Sequence, residues 1–152
     1  MNWNTILFGI FPYIALTLAV VVTAYRMVYR PFSVSAQSSQ LLEQKRLFYG
    51  SIAMHWGLVL VLLGHLLALL IPKGLLLWNA VPLRLYLLEI TGLGLGLWAL
   101  VGTWVLLTRR LSVARVRAAS TSMDYLVLVV ILVSALSGVL TALFYRYGSF
   151  WF

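Results

Sequence analysis

The chain has 152 residues, of which 63% are hydrophobic and 9% are charged, and its mean hydropathy is +1.02. A soluble domain of this size cannot bury so much apolar surface, so the composition excludes a soluble globular protein. The absence of cysteine excludes disulfides, thiolate metal sites and Cys-ligated iron–sulfur clusters. The net charge of +8 does not indicate nucleic-acid binding, because the basic residues lie at the ends of apolar runs, where they set membrane topology.

Four apolar segments are visible, near residues 3–25, 47–71, 83–108 and 123–145. Each is close to the ~20 residues that a helix needs to cross a bilayer. The sequence therefore predicts an all-α, polytopic membrane bundle of four transmembrane helices, forming a single domain over residues 1–152. The first segment has no positively charged region before it, so we expect a retained span and not a cleaved signal peptide.

The basic residues divide unevenly between the two sides of the predicted bundle. Eight lie in the loops after the first and third segments, and three lie on the other side. The positive-inside rule places the two basic loops in the cytoplasm and the N-terminus outside. The eight are Arg26, Arg30, Lys45, Arg46, Arg109, Arg110, Arg115 and Arg117, and the three are Lys73, Arg84 and Arg146.

The first segment and its loop carry local signals for helix ends. Pro12 is expected to kink or delay the regular helix, and Pro31 to stop it. Ser38 or Ser39 can cap the next helical turn. The polar loop over 31–46 has two interpretations, a surface for a partner protein or a solvated connection.

The second segment contains the two histidines of the chain, His55 and His65. Ionisable side chains within a span are costly, so each is a functional candidate. Ten helical residues separate their Cα atoms by roughly 15 Å along the axis. They cannot share a metal ion, because metal–nitrogen bonds are only ~2 Å long. Two haems at two depths fit this layout; the other interpretation is a pair of neutral imidazoles hydrogen-bonded between packed helices.

Glycines within the spans are candidates for close contact with another helix or with a flat ring. Gly50, Gly57 and Gly64 are spaced by seven, and Gly92 and Gly96 form a G-x-x-x-G pair. Small residues allow close approach, and we predict helix packing and not porphyrin contact at these positions.

The loop over 72–84 contains a short LLLW run, which we expect to lie in the membrane interface. Glu89 follows it within the third span and has two possible roles. It accepts a proton near the outer face, or it snorkels to water and pairs with Arg84, which is the interpretation we favour. Asp124 is expected at the N-terminus of the fourth helix.

Longer motifs are more specific than these single residues. They are FPYIA at 11–15, Arg26 and Tyr29 followed by SSQLLEQK at 38–45, and RRLSVARVRAASTSMD at 109–124. With His55, and with Gly64 before His65, they follow the order and nearly the spacing of a known family across the whole chain. On these motifs the chain resembles the gamma subunit of respiratory nitrate reductase, a b-type cytochrome membrane anchor.

The resemblance implies five helices, two haems b with two histidine ligands each, and quinol oxidation near the outer haem, in the cytoplasmic membrane of a prokaryote. Electrons would pass inward to an iron–sulfur beta subunit and then to a molybdenum alpha subunit that reduces nitrate. By position, His55 would hold the inner haem and His65 the outer one. Arg110 and Arg117 would pair with haem propionates, unless they serve topology alone. The implied quinol site comprises Gly64, His65, Arg84, Tyr86 and Glu89.

The sequence departs from the family at two points. The family's other two histidines lie on a fifth helix, so each haem would need a second ligand from outside residues 1–152. We expect this chain to be the N-terminal part of a longer protein; otherwise another chain supplies that helix. Where the family has a lysine linked to the quinol site, this sequence has Tyr86, with Arg84 and Lys73 nearby.

The sequence therefore predicts a subunit that carries electrons from quinol to a cytoplasmic oxidoreductase and does no nitrate chemistry itself. Two alternatives stay open. The first is the same kind of cytochrome in a sulfur- or disulfide-reducing complex. The second is a haem-free membrane anchor or assembly protein.

Overall fold

The computed structural model describes residues 2–30 and 41–145. Within these ranges the regular structure is helical, with no strand. Four helices are long and apolar enough to cross a bilayer, which confirms the predicted fold class. The chain forms two compact units, residues 1–38 and residues 39–152.

The first unit contains one long helix. A π-helical turn, Thr5–Ile10, leads into α1, Phe11–Tyr29. Pro12 lies in the first turn of α1, where its missing N–H is tolerated. This confirms that Pro12 delays the regular helix. The predicted stop at Pro31 and the predicted caps at Ser38 and Ser39 lie outside the described residues.

The second unit contains the other helices. They are α2 at Lys45–Leu70, α3 at Pro72–Asn79, α4 at Pro82–Ser112, α5 at Ala114–Ala118 and α6 at Ser122–Phe144. The helix α4 packs against both α2 and α6, and each pair runs antiparallel. We call the end where α2 begins and α4 ends the arginine-rich end, and the end where α2 ends and α4 begins the His65 end. The LLLW run lies on α3, whose eight residues are too few to span.

Glycines bring α2 and α4 into close contact towards the arginine-rich end of the unit. A methyl group added at Gly57 would lie 2.8 Å from the Cβ of Ala99, and one at Gly50 would lie 2.9 Å from Leu106 Cδ2. At Gly102, an added methyl group would lie 2.7 Å from the Cβ of Ala53. The contacts at Gly50 and Gly57 confirm the packing role predicted for them, and Gly102 is a further contact that was not predicted.

The core of the second unit lies where α2, α4 and α6 meet, again towards the arginine-rich end. Leu106, Leu107 and Leu128 form its buried cluster. The start of α6 is fixed by a capping box, in which Asp124 accepts a hydrogen bond from the backbone N–H of Thr121 at 2.8 Å. This confirms the predicted position of Asp124 at a helix N-terminus.

Candidate functional site

The two histidines lie on α2 and make the same hydrogen bond to their own helix. His55 Nδ1 is 2.8 Å from the backbone oxygen of Ser51, and His65 Nδ1 is 2.8 Å from that of Val61. A carbonyl oxygen can only accept a hydrogen bond, so Nδ1 carries the proton in both rings. The neutral imidazole then keeps a lone pair on Nε2, the atom that can bind a metal ion.

Each histidine offers one ligand atom at its own level of α2. Neither belongs to a cluster of metal-binding side chains, since the described residues contain no group of three or more His, Cys, Asp or Glu that could hold an ion. Both rings are exposed in the described chain. At about 100° per residue, His55 lies nearly opposite the Ala53 face that contacts α4. The arrangement suits two separate irons, each needing a further ligand.

The His65 end is open where packing was predicted. In the described chain, no side-chain or neighbouring-helix atom lies within 4 Å of a methyl group added at Gly64 or Gly92. The described residues bring no helix against these two positions, so helix packing there stays a prediction. Gly96 is different, because its added methyl group would lie 3.5 Å from Val139 of α6. The helices α2 and α4 touch at Gly57 and leave open space beside Gly64.

The residues expected around quinol gather at this same end. Gly57 meets Leu95 and Ala99, and the antiparallel register then places His65 at the level of Glu89. Tyr86 is 49% exposed and lies about one turn before Glu89 on α4. Arg84 lies over the ring of Trp78, 5.0 Å from its centroid. The structure thus brings the predicted residues of the implied quinol site to one end of the unit.

Glu89 does not snorkel to water as we predicted, since it is only 8% exposed. The sequence pattern could not reveal this, because burial at one position of a span depends on how the segments pack. The other interpretation, that Glu89 accepts a proton near the outer face, stays a prediction.

Asn79 is a polar residue that the sequence analysis missed. It ends α3, and its Oδ1 is buried without a hydrogen-bond partner among the described residues. An amide oxygen of this kind can accept a hydrogen bond from a hydroxyl group. The available signal was a single amide within an apolar loop, which alone does not distinguish a site from a helix end.

At the arginine-rich end, Arg109 is buried and paired with Glu43. The Arg109 side chain is 1% exposed, and its Nε donates to Glu43 Oε2 at 2.7 Å. Arg109 Nη2 also donates to the backbone oxygen of Glu43 at 2.6 Å. Glu43 in turn accepts from the backbone N–H of Arg46 at 2.7 Å. One carboxylate therefore accepts a hydrogen bond from the first turn of α2 and connects the start of α2 to the end of α4.

The environment of Glu43 changes its pKa in two opposing ways. Desolvation by burial raises the pKa, while hydrogen bonds from Arg46 and Arg109, with the charge of Arg109, lower it. The net effect is a pKa below the ordinary value of 4.5. Glu43 is therefore ionised at neutral pH and neutralises Arg109.

Arg110 makes the equivalent connection to α6. Its Nη1 donates to Ser120 Oγ at 2.8 Å and lies 3.3 Å from Asp124 Oδ2. The Tyr125 hydroxyl donates to the backbone oxygen of Arg110 at 3.3 Å. Arg110 thus has protein partners, whereas Arg117 is exposed on α5. Binding of haem propionates by these two arginines stays a prediction.

The exposed charges at this end are basic. The sequence contains three carboxylates; Glu43 and Asp124 are paired here, and Glu89 lies at the other end. The surrounding exposed side chains are cationic, so this end presents an excess of positive charge. They are Lys45, Arg46, Arg115 and Arg117.

Comparison with known proteins agrees with the resemblance seen in the sequence. Residues 4–152 match the sequence profile described as nitrate reductase gamma subunit. The chain is 40% identical over 136 residues to the nitrate reductase gamma chain of Bacillus subtilis (strain 168), covering 88% of this chain and 61% of that relative. It is 31% identical over 139 residues to the respiratory nitrate reductase 1 gamma chain of Escherichia coli (strain K12), covering 91% and 62%.

A third relative matches this chain over a much smaller share of its own length. The nitrate reductase-like protein NarX of Mycobacterium tuberculosis (strain CDC 1551 / Oshkosh) is 32% identical over 130 residues, covering 82% of this chain and 20% of that relative. The chain spans about three fifths of the length of the two gamma chains, since the covered shares are 61% and 62%.

Proposed function

The chain belongs to the nitrate reductase gamma subunit family, and we propose that it is the dihaem cytochrome b of a quinol-oxidising nitrate reductase complex. In this proposal quinol is oxidised at the outer membrane face. Electrons pass along α2 from the level of His65 to that of His55. They leave at the arginine-rich end to an iron–sulfur subunit, which feeds a molybdenum subunit that reduces nitrate.

The observation that carries the proposal is the hydrogen bonding of the two histidines. A ligating imidazole usually donates its second ring N–H to a carbonyl or carboxylate, which fixes its tautomer and orientation. His55 and His65 both make that bond at 2.8 Å. Their Nε2 atoms would bind the two irons, and their partners would be histidines outside residues 1–152. Haem b, when bound, takes up and releases one electron at its iron.

The His65 end supports the quinol part of the proposal. Oxidation of one quinol to quinone releases two electrons and two protons. Tyr86, Arg84 or Asn79 would hold a quinol oxygen, and Glu89 would take a proton. Open space beside Gly64 and Gly92 allows a flat ring to approach α2 and α4. Release of the protons outside, with electrons moving inward, would transfer charge across the membrane.

The arginine-rich end supports the docking part. The loops over 31–46 and 109–122 would contact the partner subunits, because an electron has to leave near His55. Of these, residues 41–46 and 109–122 belong to the described chain. The ion pairs of Arg109 and Arg110 stabilise this surface. A partner would be contacted by the exposed cations Lys45, Arg46, Arg115 and Arg117.

The test is the absorption spectrum of the full-length protein in its purified membrane complex. We expect b-type haem bands in the reduced-minus-oxidised spectrum and two haems per gamma chain. A quinol analogue should reduce these haems, and nitrate should reoxidise them. A folded complex without haem absorbance would contradict the proposal.

A haem-free membrane anchor is the second candidate. The bonds from Nδ1 to the helix backbone would also form in the absence of any ligand, so the geometry alone is compatible with it. In that case the same complex would reduce nitrate with an artificial electron donor and would show no b-type bands. A cytochrome of a different reductase would instead show the bands but would not be reoxidised by nitrate.

A further inference from the structure

The two histidines differ in one respect. His55 Nδ1 lies 3.2 Å from the side-chain Oγ of Ser51, in addition to its contact with the Ser51 backbone oxygen. His65 has valine at the corresponding position, and Val61 contributes its backbone oxygen alone. The histidine nearer the arginine-rich end therefore has a second polar atom at its Nδ1.

The tautomer decides the direction of this second contact. Because the 2.8 Å contact with the Ser51 carbonyl oxygen requires a proton on Nδ1, the serine Oγ at 3.2 Å can only accept from that N–H. The Nδ1–H of His55 is then shared between two oxygens of one residue. The Nδ1–H of His65 has one acceptor from Val61.

Ser51 also differs from several other helical hydroxyls among the described residues. Such hydroxyls commonly donate to the carbonyl one turn earlier. Thr17, Thr103 and Thr141 all do so, at 2.8 Å in each case. The Ser51 hydroxyl instead lies towards an imidazole one turn later. If the Ser51 hydroxyl only made a hydrogen bond to a carbonyl of its own helix, it would not be expected to lie beside the His55 ring.

We propose that Ser51 is a positioning residue that makes His55 a stronger iron ligand than His65. An acceptor on Nδ1–H increases the basicity of Nε2. A more basic ligand stabilises the ferric state and lowers the reduction potential, since hydrogen bonding around an axial ligand is one of the means by which a protein sets that potential. The two-point contact also restrains rotation of the ring. This inference rests on the proposed function, because it needs an iron at His55.

The experiment is a spectroscopic redox titration of the full-length protein in its complex. Ser51→Ala should raise the potential of the haem held by His55 and leave that of the His65 haem unchanged. The ratio of reduced to oxidised iron at a fixed potential should rise severalfold and at most about tenfold, which corresponds to about 59 mV for one electron. Ser51→Thr, which keeps the hydroxyl, should stay close to the parent protein.

The chain offers a matched control at the other histidine. Val61→Ser places a hydroxyl one turn before His65 and should lower the potential of that haem alone. If Ser51→Ala abolishes binding of the haem at His55, the proposal is still tested by the reduction potential of the His65 haem in Val61→Ser. Two haems with unchanged potentials in both variants would overturn it, as would equal shifts of both haems in either one. A parent complex without haem would instead contradict the proposed function.

Discussion

His55 and His65 occupy different halves of α2, and each would serve one iron. Their Cα atoms are roughly 15 Å apart along the helix, so loss of one ligand should leave the other site intact. We expect His55→Ala and His65→Ala each to remove one b-type haem, of different potential, from the spectrum of the complex. His65→Ala should also abolish quinol oxidation, whereas His55→Ala should block only later electron transfer. Loss of both haems in either folded variant would contradict the two-site assignment.

A second prediction at the residue scale concerns the ion pair between Glu43 and buried Arg109. Glu43→Ala should lower the free energy of unfolding by about 1–3 kcal/mol, the usual cost of depriving a buried polar group of its partner. Glu43→Gln keeps a hydrogen-bond acceptor and should cost less. Arg115→Gln, which changes an exposed arginine at the same end, is the matched control and should have little effect. Thermal unfolding of the full-length protein in detergent measures all three.

The same pair predicts a dependence on pH. The pKa of Glu43 is lower in the folded protein than its ordinary value of 4.5, so the ionised form is bound more strongly in the folded state. Its stabilising contribution is complete well above pH 4.5 and is lost as the pH falls through the lowered pKa. The difference in melting temperature between the parent and Glu43→Gln should therefore shrink below about pH 4. A difference that grew on acidification would rule out this linkage.

At the scale of helices, the contact between α2 and α4 depends on the absence of side chains. An added methyl group at Gly57 would meet Ala99 Cβ at 2.8 Å and the Leu95 backbone oxygen at 2.9 Å. Gly57→Ala should therefore destabilise the protein by about 1–3 kcal/mol, as overpacking does. Gly94→Ala is the control, because its added methyl group finds nothing within 4 Å in the described chain. Equal stability of the two variants would contradict close packing at Gly57.

The sequence predicted the helices well because span length is a local property. The predicted segment 123–145 corresponds to Ser122–Phe144, and 47–71 to Lys45–Leu70. The third predicted span corresponds to α4, which continues beyond its predicted end to Ser112. Arg109 and Arg110 at that end have carboxylate partners. Those partners could not be predicted: Glu43 and Arg109 are 66 residues apart, and no local pattern links them.

Glycine spacing predicted the contact at Gly50 and Gly57, whereas no described helix lies against Gly64. A spacing of seven places residues on one face of a helix, but it does not say how far the opposite helix continues beside that face. The same limit applies to Glu89, because its burial depends on packing that no local pattern reveals. The histidines were the opposite case, since their position and spacing in the sequence were sufficient to single them out.

For the whole molecule, the charge distribution predicts how the complex assembles. Both carboxylates at the arginine-rich end are paired, so the exposed cations there are available to a partner. Arg115→Glu with Arg117→Glu should weaken association with the catalytic subunits, and raised salt should weaken the parent association. Lys73→Glu, a charge reversal at an exposed residue of the other end, should not. In hydrogen exchange, residues 41–46 and 109–122 should become protected in the complex; protection of neither would contradict docking here.

The last prediction concerns the direction of electron and proton flow. Glu89→Gln keeps the size of the side chain but cannot take a proton, so quinol-driven haem reduction should slow by on the order of 10²-fold. Tyr86→Phe removes one hydrogen bond and should slow it by about fivefold to tenfold. Haem content and reduction by dithionite are the controls, because neither involves quinol. Normal rates in both variants would remove these side chains from the mechanism.

The orientation needs a separate measurement, since neither variant tests it. With quinol oxidised near Glu89 and the basic loops inside, both protons should appear outside sealed vesicles of native orientation. Each quinol then separates two charges, as its electrons move along α2 towards His55. Appearance of the protons on the inner side would contradict the proposed orientation, because electrons and protons would then leave on the same side and no charge would be separated.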